Sequence, residues 1–214
     1  MSVEQLKLYH SSASPNSRRV RILLAEKGLK VPLVPIDFGE GEQHSDAYRA
    51  INPRRVVPTL VLPDGTAIGE VPAIMRYLDE TFPAHPLLGT TPREKALIQM
   101  WERRVEVDGF AAVMEGVRNK IPGLKRRAIA GPHDYEQIPT LVERSIQRVK
   151  DFFVDLDARL DESPFIAGAS YSAADITAMV TVDFARALEL APTADQLALK
   201  QWYGGVASRL SATA

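Results

Sequence analysis

The chain has 214 residues, 45% hydrophobic and 25% charged, with a formal net charge of −1 and no cysteine. That length buries a real core in one large domain or two small ones. The balanced charge leaves no basic stripe for nucleic acid, and the missing cysteines exclude disulfides, thiolate zinc sites and a cysteine nucleophile. The run Lys125-Arg126-Arg127 is too short to change this and reads as a solvated loop or helix face. His10, His44, His85 and His133 have no ligand spacing, so no metal is expected. No apolar run approaches the roughly 20 residues that span a bilayer. Met1 opens onto a polar segment without the basic and apolar regions of a secretory signal, so no membrane partner and a cytoplasmic location are expected.

Residues 5–9 alternate, with Leu6 and Leu8 on one side and Lys7 and Tyr9 on the other, which predicts a short strand. A serine-rich turn leads to Pro15. Val20, Leu23 and Leu24 then fall at helical spacing, and Gly28 is a stop signal. Residues 31–36 predict a second strand, which completes a βαβ unit. Residues 38–50 are polar, a loop with a short helix. Residues 59–62 and 66–68 predict strands joined by a tight turn at Pro63-Asp64-Gly65. A helix follows, with Ile74, Tyr77 and Leu78 on one face and Pro72 in its first turn.

The first 82 residues therefore read βαβαββα. Residues 83–91 hold two prolines and a glycine without periodicity and read as a linker. After it the strands stop. Thr91-Pro92-Arg93-Glu94 predicts a capping box opening a helix that runs to about residue 117. Further helical patterns cover residues 138–160, 172–188 and 193–210. The expected fold is α+β in two domains, 1–82 and an all-helical 92–214.

Three motifs carry a family resemblance: Ser14-Pro15-Asn16-Ser17-Arg18-Arg19-Val20; Asn52-Pro53 followed by Val56-Val57-Pro58-Thr59-Leu60; and Ser172-Ala173-Ala174-Asp175-Ile176. In this order and spacing the chain resembles the soluble glutathione transferases, the serine-using theta, zeta and nu-like bacterial type, over essentially its whole length. The resemblance implies a thioredoxin-like N-terminal domain that binds glutathione as cosubstrate. It also implies a helical domain with a pocket for a small electrophile.

Each motif has a reading of its own. Pro15 prefers the first helical position, so Ser14 falls at the N-cap and its oxygen accepts a backbone N–H. A helix N-terminus also favours an anion and lowers a thiol pKa. The resemblance gives the hydroxyl of Ser14, or in some relatives the amide of Asn16, the task of donating to the glutathione sulfur. Ser11, Ser12 and Ser17 are alternatives, and Tyr9 reads as a core aromatic. Pro58 is expected to be cis by resemblance, exposing the Val57 backbone to pair with the peptide like an added strand. Glu70-Val71 departs from the family's usual Glu/Gln-Ser/Asp pair. Glu70 still meets an ammonium, whereas Val71 offers only its backbone N–H to the γ-glutamyl carboxylate. Arg54 or Arg55 is available to compensate, each otherwise a solvated loop arginine. Ser172 and Asp175 read as a capping box, with Tyr171 and Ile176 as staple and no chemistry.

The resemblance places the electrophile pocket between the domains, walled by Arg104, Asp108, Phe110, Ala111 and Met114 and closed by Tyr203. For Phe110 and Met114 core packing is an equal reading. The implied activity is conjugation of the glutathione thiolate to a small hydrophobic electrophile, a detoxification chemistry. A glutathione-dependent isomerase and a non-catalytic transferase-like binding protein are the alternatives, the latter favoured by Val71. The resemblance also implies a homodimer in which the fourth strand and third helix meet the partner's helices, with Arg76, Asp79 and Glu102 at the rim.

Overall fold

The computed structural model describes residues 2–214. They fall into two compact units. One comprises residues 2–86, Ala130–Pro132 and Thr213–Ala214; the other comprises Leu87–Ile129 and His133–Ala212.

The first unit is thioredoxin-like. It contains β1 (Lys7–His10), α1 (Pro15–Glu26), β2 (Leu33–Pro35), α2 (Asp46–Ile51), β3 (Thr59–Val61), β4 (Ala67–Ile68) and α3 (Val71–Thr81). The sheet order is β2-β1-β3-β4. Leu6, Leu8 and Leu60 from the sheet side, and Val20, Leu23, Ile74 and Leu78 from α1 and α3, are all fully buried. Gly28 ends α1 at φ 65°, a left-handed value that suits glycine, and the Leu29 N–H returns to the Leu24 carbonyl at 2.9 Å. The hairpin turn closes through Leu62 N–H to the Thr66 carbonyl at 2.9 Å, with the Asp64 carboxylate accepting from the Thr66 N–H.

Strand direction decides where function gathers. β1 is parallel to β2 and antiparallel to β3, and β3 is antiparallel to β4. The C-terminal ends of β1, β2 and β4 and the N-terminal end of β3 therefore share one edge of the sheet. The turn before α1, the segment after β2, the Val57–Pro58 bond and the start of α3 all emerge there.

The second unit contains α4 (Pro92–Arg104), a π-helical stretch (Val105–Phe110), α5 (Ala111–Lys120), α6 (Thr140–Glu162), α7 (Ala173–Ala185) and α8 (Leu197–Ala207). The capping box of α4 forms: Glu94 N–H donates to Thr91 Oγ1 and Thr91 N–H to Glu94 Oε2, both at 3.2 Å. Thr90 adds its N–H and hydroxyl to the same carboxylate, and these hydrogen bonds lower the Glu94 pKa to about 2. One uninterrupted helix is expected across 92–117. Instead the π-helical stretch interrupts it, where Gly109 meets the Phe152 ring of α6 so closely that a Cβ would lie 2.6 Å from it.

The start of α7 is anchored by the buried Asp175. Its carboxylate accepts from Ser172 N–H and Oγ, from Ile166 N–H and from Trp202 Nε1, each at 3.0 Å. Burial raises its pKa against the pull of these bonds. The last helix is shorter than its expected 193–210, because the Gln196 side chain accepts from the Thr193 N–H and turns the chain before α8 starts.

Two of the expected rim charges are interior. Asp79 is 6% exposed and bonded at 2.6 Å to Lys27 Nζ, which also donates to the carbonyls of Ala84 and His85. Glu102 is 5% exposed and accepts from Thr177 Oγ1. A buried charge needs such partners, and neither residue is a rim charge. Arg76 alone of the three is exposed.

Candidate functional site

The site is built on the shared sheet edge of the first unit. Ser14 caps α1 in extended conformation, with Pro15 at the first helical position. Its Oγ accepts from the Ser17 N–H at 3.2 Å, and the residue is only 7% exposed. The hydroxyl proton is not consumed by this bond. Ser17 is occupied by the Ser11 N–H at 3.3 Å, and Asn16 Oδ1 accepts from Arg19 Nη1 at 3.1 Å, which leaves the Asn16 amide N–H groups as donors.

Behind the turn, Arg21 Nη1 meets the Ser11 carbonyl at 3.2 Å and His10 Nδ1 at 3.3 Å. Burial first, and the Arg21 charge second, lower the His10 pKa. Near neutral pH the imidazole is therefore uncharged, and the charge behind the turn is the guanidinium's.

Val57–Pro58 is cis. Tyr48 Oη at 2.7 Å and Asn52 Nδ2 at 3.0 Å hold the preceding Val56 carbonyl, and both side chains also engage Thr59 Oγ1. Burial raises the Tyr48 pKa, so the phenol stays a structural donor. Tyr9 packs its ring 5.9 Å from that of Tyr48 on the cluster of Ile36, Tyr48 and Val57, in agreement with its core reading. Among the described residues nothing hydrogen-bonds the Val57 N–H or C=O.

Glu70 precedes α3 at φ 63°, ψ 124°, a left-handed φ that costs a non-glycine residue about 1–3 kcal/mol. Its carboxylate is exposed and lies 3.5 Å from Arg54 Nε. The Val71 side chain is 4% exposed, and Pro72 has no N–H to give. The N–H groups of Glu70 and Val71 carry no bond among the described residues, so the start of α3 presents unspent donors to an anion.

Two further groups were not singled out by any motif, or only as an option. Gln43 Oε1, on the turn after β2, and Arg55 Nε are buried without a hydrogen-bond partner. Arg55 also has a left-handed φ of 55°. Buried polar atoms in folded proteins rarely lack a partner in protein or ordered water.

The residues expected to wall the electrophile pocket all belong to the helical unit. Arg104 and Asp108 line a cavity of about 300 Å³ against α6. Phe110 is buried against Phe184, with ring centroids 5.8 Å apart. Ala111 is exposed and Met114 half-buried. Tyr203 donates its hydroxyl to Asp183 and accepts from Arg186. No group of side chains suited to a metal occurs among the described residues, and no helix among them is long and apolar enough to cross a membrane.

Residues 8–86 match the family model of the glutathione S-transferase N-terminal domain. Over 97% of its length the chain is 31% identical to glutathione S-transferase 2 of Saccharomyces cerevisiae, covering 88% of that protein. The chain belongs to the glutathione S-transferase family. A glutathione S-transferase domain-containing protein of Marinobacter aquaeolei VT8 superposes with a TM-score of 0.88 at 34% identity, over 96% of this chain and 98% of the other. Maleylacetoacetate isomerase of Rattus norvegicus is 41% identical over 95 residues, 44% of each chain. As an enzyme of this transferase family the protein has its thioredoxin-like unit where the family model lies.

Proposed function

We propose that the protein conjugates glutathione, through its thiolate, to a small apolar electrophile. The observation that carries this reading is the set of unspent hydrogen-bonding groups on one sheet edge: the Ser14 hydroxyl proton, the Val57 N–H and C=O, and the N–H groups of Glu70 and Val71. A peptide with a thiol, an ammonium and two carboxylates has complements for all of them. Its cysteinyl backbone pairs with Val57 in antiparallel fashion beside Pro58. Its γ-glutamyl carboxylate sits on the start of α3 and its ammonium meets Glu70. Arg54 lends charge from the rim through Glu70, and Arg55 Nε donates to a carboxylate.

The sulfur lies at the N-terminus of α1. There the Ser14 oxygen keeps its capping bond from the Ser17 N–H while its proton turns to the thiolate. One hydroxyl thus serves both tasks, because accepting and donating use different parts of it. The Asn16 amide is the second donor. Lowering the thiol pKa raises the reactive fraction, and holding the thiolate beside the electrophilic carbon supplies much of the rest. The nucleophile belongs to the cosubstrate, so the chain needs no covalent residue. We place this activity in the cytoplasm, in the disposal of apolar electrophiles.

An isomerase that uses glutathione without consuming it is the second reading, favoured by the 41% identity to the rat isomerase in a stretch of 95 residues. The relative matched over 97% of this chain is named a transferase, which weighs the other way. Capture on immobilised glutathione, then a chloronitrobenzene conjugation assay, tests the first reading. Capture without conjugation, but with cis–trans isomerisation of a maleyl substrate, selects the second. Failure of capture removes both and favours a non-catalytic protein.

A further inference from the structure

Ser17 and Arg21 stand one turn apart on α1, so their side chains leave the same face of the helix. That face lies against the turn that precedes the helix and holds both main-chain polar groups of Ser11. The Ser11 N–H donates to Ser17 Oγ at 3.3 Å, and the Ser11 carbonyl accepts from Arg21 Nη1 at 3.2 Å. The same carbonyl accepts from the Ser14 N–H at 3.1 Å, and Ser14 Oγ accepts from the Ser17 N–H at 3.2 Å. Ser11, Ser14 and Ser17 are all buried, which shields this network from bulk water. Ser12 and Ala13, between them, are exposed, so the turn draws its rigidity from these bonds rather than from packing.

The guanidinium is fixed at three points. Besides the Ser11 carbonyl, its Nη1 meets His10 Nδ1 at 3.3 Å and its Nη2 meets the Ala214 main-chain oxygen at 3.4 Å. An arginine only donates, so His10 Nδ1 is the acceptor and the neutral imidazole carries its proton on Nε2. Burial first, and the Arg18 charge second, lower the Arg21 pKa, yet a guanidinium in a protein keeps its charge. A planar fork held on several sides is pre-organised, and it cannot shift without breaking a bond. The Ser11 carbonyl is therefore pinned from behind, and through it the Ser14 main chain.

We infer that Arg21 is a positioning residue for the thiolate: by holding the Ser11 carbonyl it fixes the Ser14 main chain, and with it the direction from which the Ser14 hydroxyl meets the sulfur. Arg21 itself touches no reacting atom. The inference rests on the glutathione reading and supplies the part that reading leaves open, namely what keeps its donor in place. A catalytic group displaced by about 1 Å loses on the order of 100-fold in rate, so a partial loosening of this turn costs less than removal of Ser14 but is measurable.

Titration of the bound glutathione thiol in wild type, Arg21→Met, Ser14→Ala and the double variant tests this, with melting of each protein in parallel. Arg21→Met is expected to raise the thiol pKa by about half a unit or more. It should lower kcat below neutral pH about three- to tenfold, with KM for glutathione changed less than about twofold. In the Ser14→Ala background the same substitution is expected to leave the thiol unchanged, because the donor it positions is gone. Arg21→Lys retains one donor and is expected to fall between wild type and Arg21→Met. A lowered wild-type pKa that survives in Arg21→Met overturns the inference alone, even if melting falls, and leaves Arg21 a purely structural bond. A further shift in the Ser14→Ala background overturns it too, since the charge then acts on the sulfur directly. A wild-type thiol that titrates like free glutathione removes the glutathione reading and the inference with it. Nitrogen NMR of the His10 ring in the wild type needs no variant to fold. The Nε2–H tautomer is expected; an Nδ1–H tautomer means that Arg21 does not hold this turn, and overturns the inference.

Discussion

Ser14, Glu70 and Val71 place three separate costs on one small site. Ser14→Ala is expected to lower turnover at least about tenfold while costing about 1 kcal/mol of stability through the lost cap. Steady-state kinetics and melting on the same sample measure both. Near wild-type turnover in Ser14→Ala, with a large fall in Asn16→Ala, transfers the donor role to Asn16. Glu70→Gly is expected to raise stability by about 1 kcal/mol, because glycine adopts a φ of 63° without strain, and to weaken glutathione, because the ammonium loses its partner. A variant neither more stable nor weaker in binding contradicts the role given to Glu70. Val71→Ser is expected to tighten glutathione by about tenfold, since a hydrogen bond to a charged group is worth ~1.5–3 kcal/mol. Its 4% exposure means the same change also lowers stability by about 1–2 kcal/mol, a cost the sequence does not disclose. Calorimetry and denaturant unfolding separate the two effects, and unchanged binding gives the carboxylate to Arg55.

At the scale of elements, local signals were legible and long-range ones were not. The caps of α1 and α4 follow from Ser-Pro and Thr-Pro-Arg-Glu, in which every partner lies within four residues. At the π-helical stretch Phe152 of α6 meets Gly109 from far away in sequence, and no local pattern announces it. Asp79 and Glu102 read as surface charges because Lys27 and Thr177, their partners, are far away in sequence. The isolated state of Gln43 and Arg55 is likewise a product of burial. Two expectations belong here. Asp175→Ala removes the common acceptor of Ile166, Ser172 and Trp202, and about 3–5 kcal/mol of stability should go with it, while glutathione affinity of the remaining folded protein stays unchanged. Glu94 has a folded pKa of about 2, below its ordinary 4.5, so its capping contribution is fully present above 4.5 and is lost as pH falls towards about 2. The stability gap between wild type and Glu94→Gln should therefore narrow only across that acidic window; a gap already closed at pH 5 contradicts the assignment.

For the whole molecule, the family and the two-part architecture were readable because their motifs are backbone devices: a cap, a proline before a strand, a boxed helix start. The electrophile site has no such device: Phe110 packs on Phe184 and Tyr203 bonds Asp183 through contacts far apart in sequence, which no local pattern announces. A homodimer is proposed with exposed Arg76 near its contact, and sedimentation at micromolar concentration should give twice the chain mass; a monomer opposes it. The chain has no cysteine, so any thiol chemistry it performs belongs to a bound thiol, which the proposed reading makes glutathione. The most direct test is an ultraviolet titration of the glutathione thiol in complex with wild type and with Ser14→Ala. An apparent pKa clearly below the ~8.5 of an ordinary thiol is expected in wild type, rising towards that value in the variant. A bound thiol that titrates like the free one in wild type contradicts it.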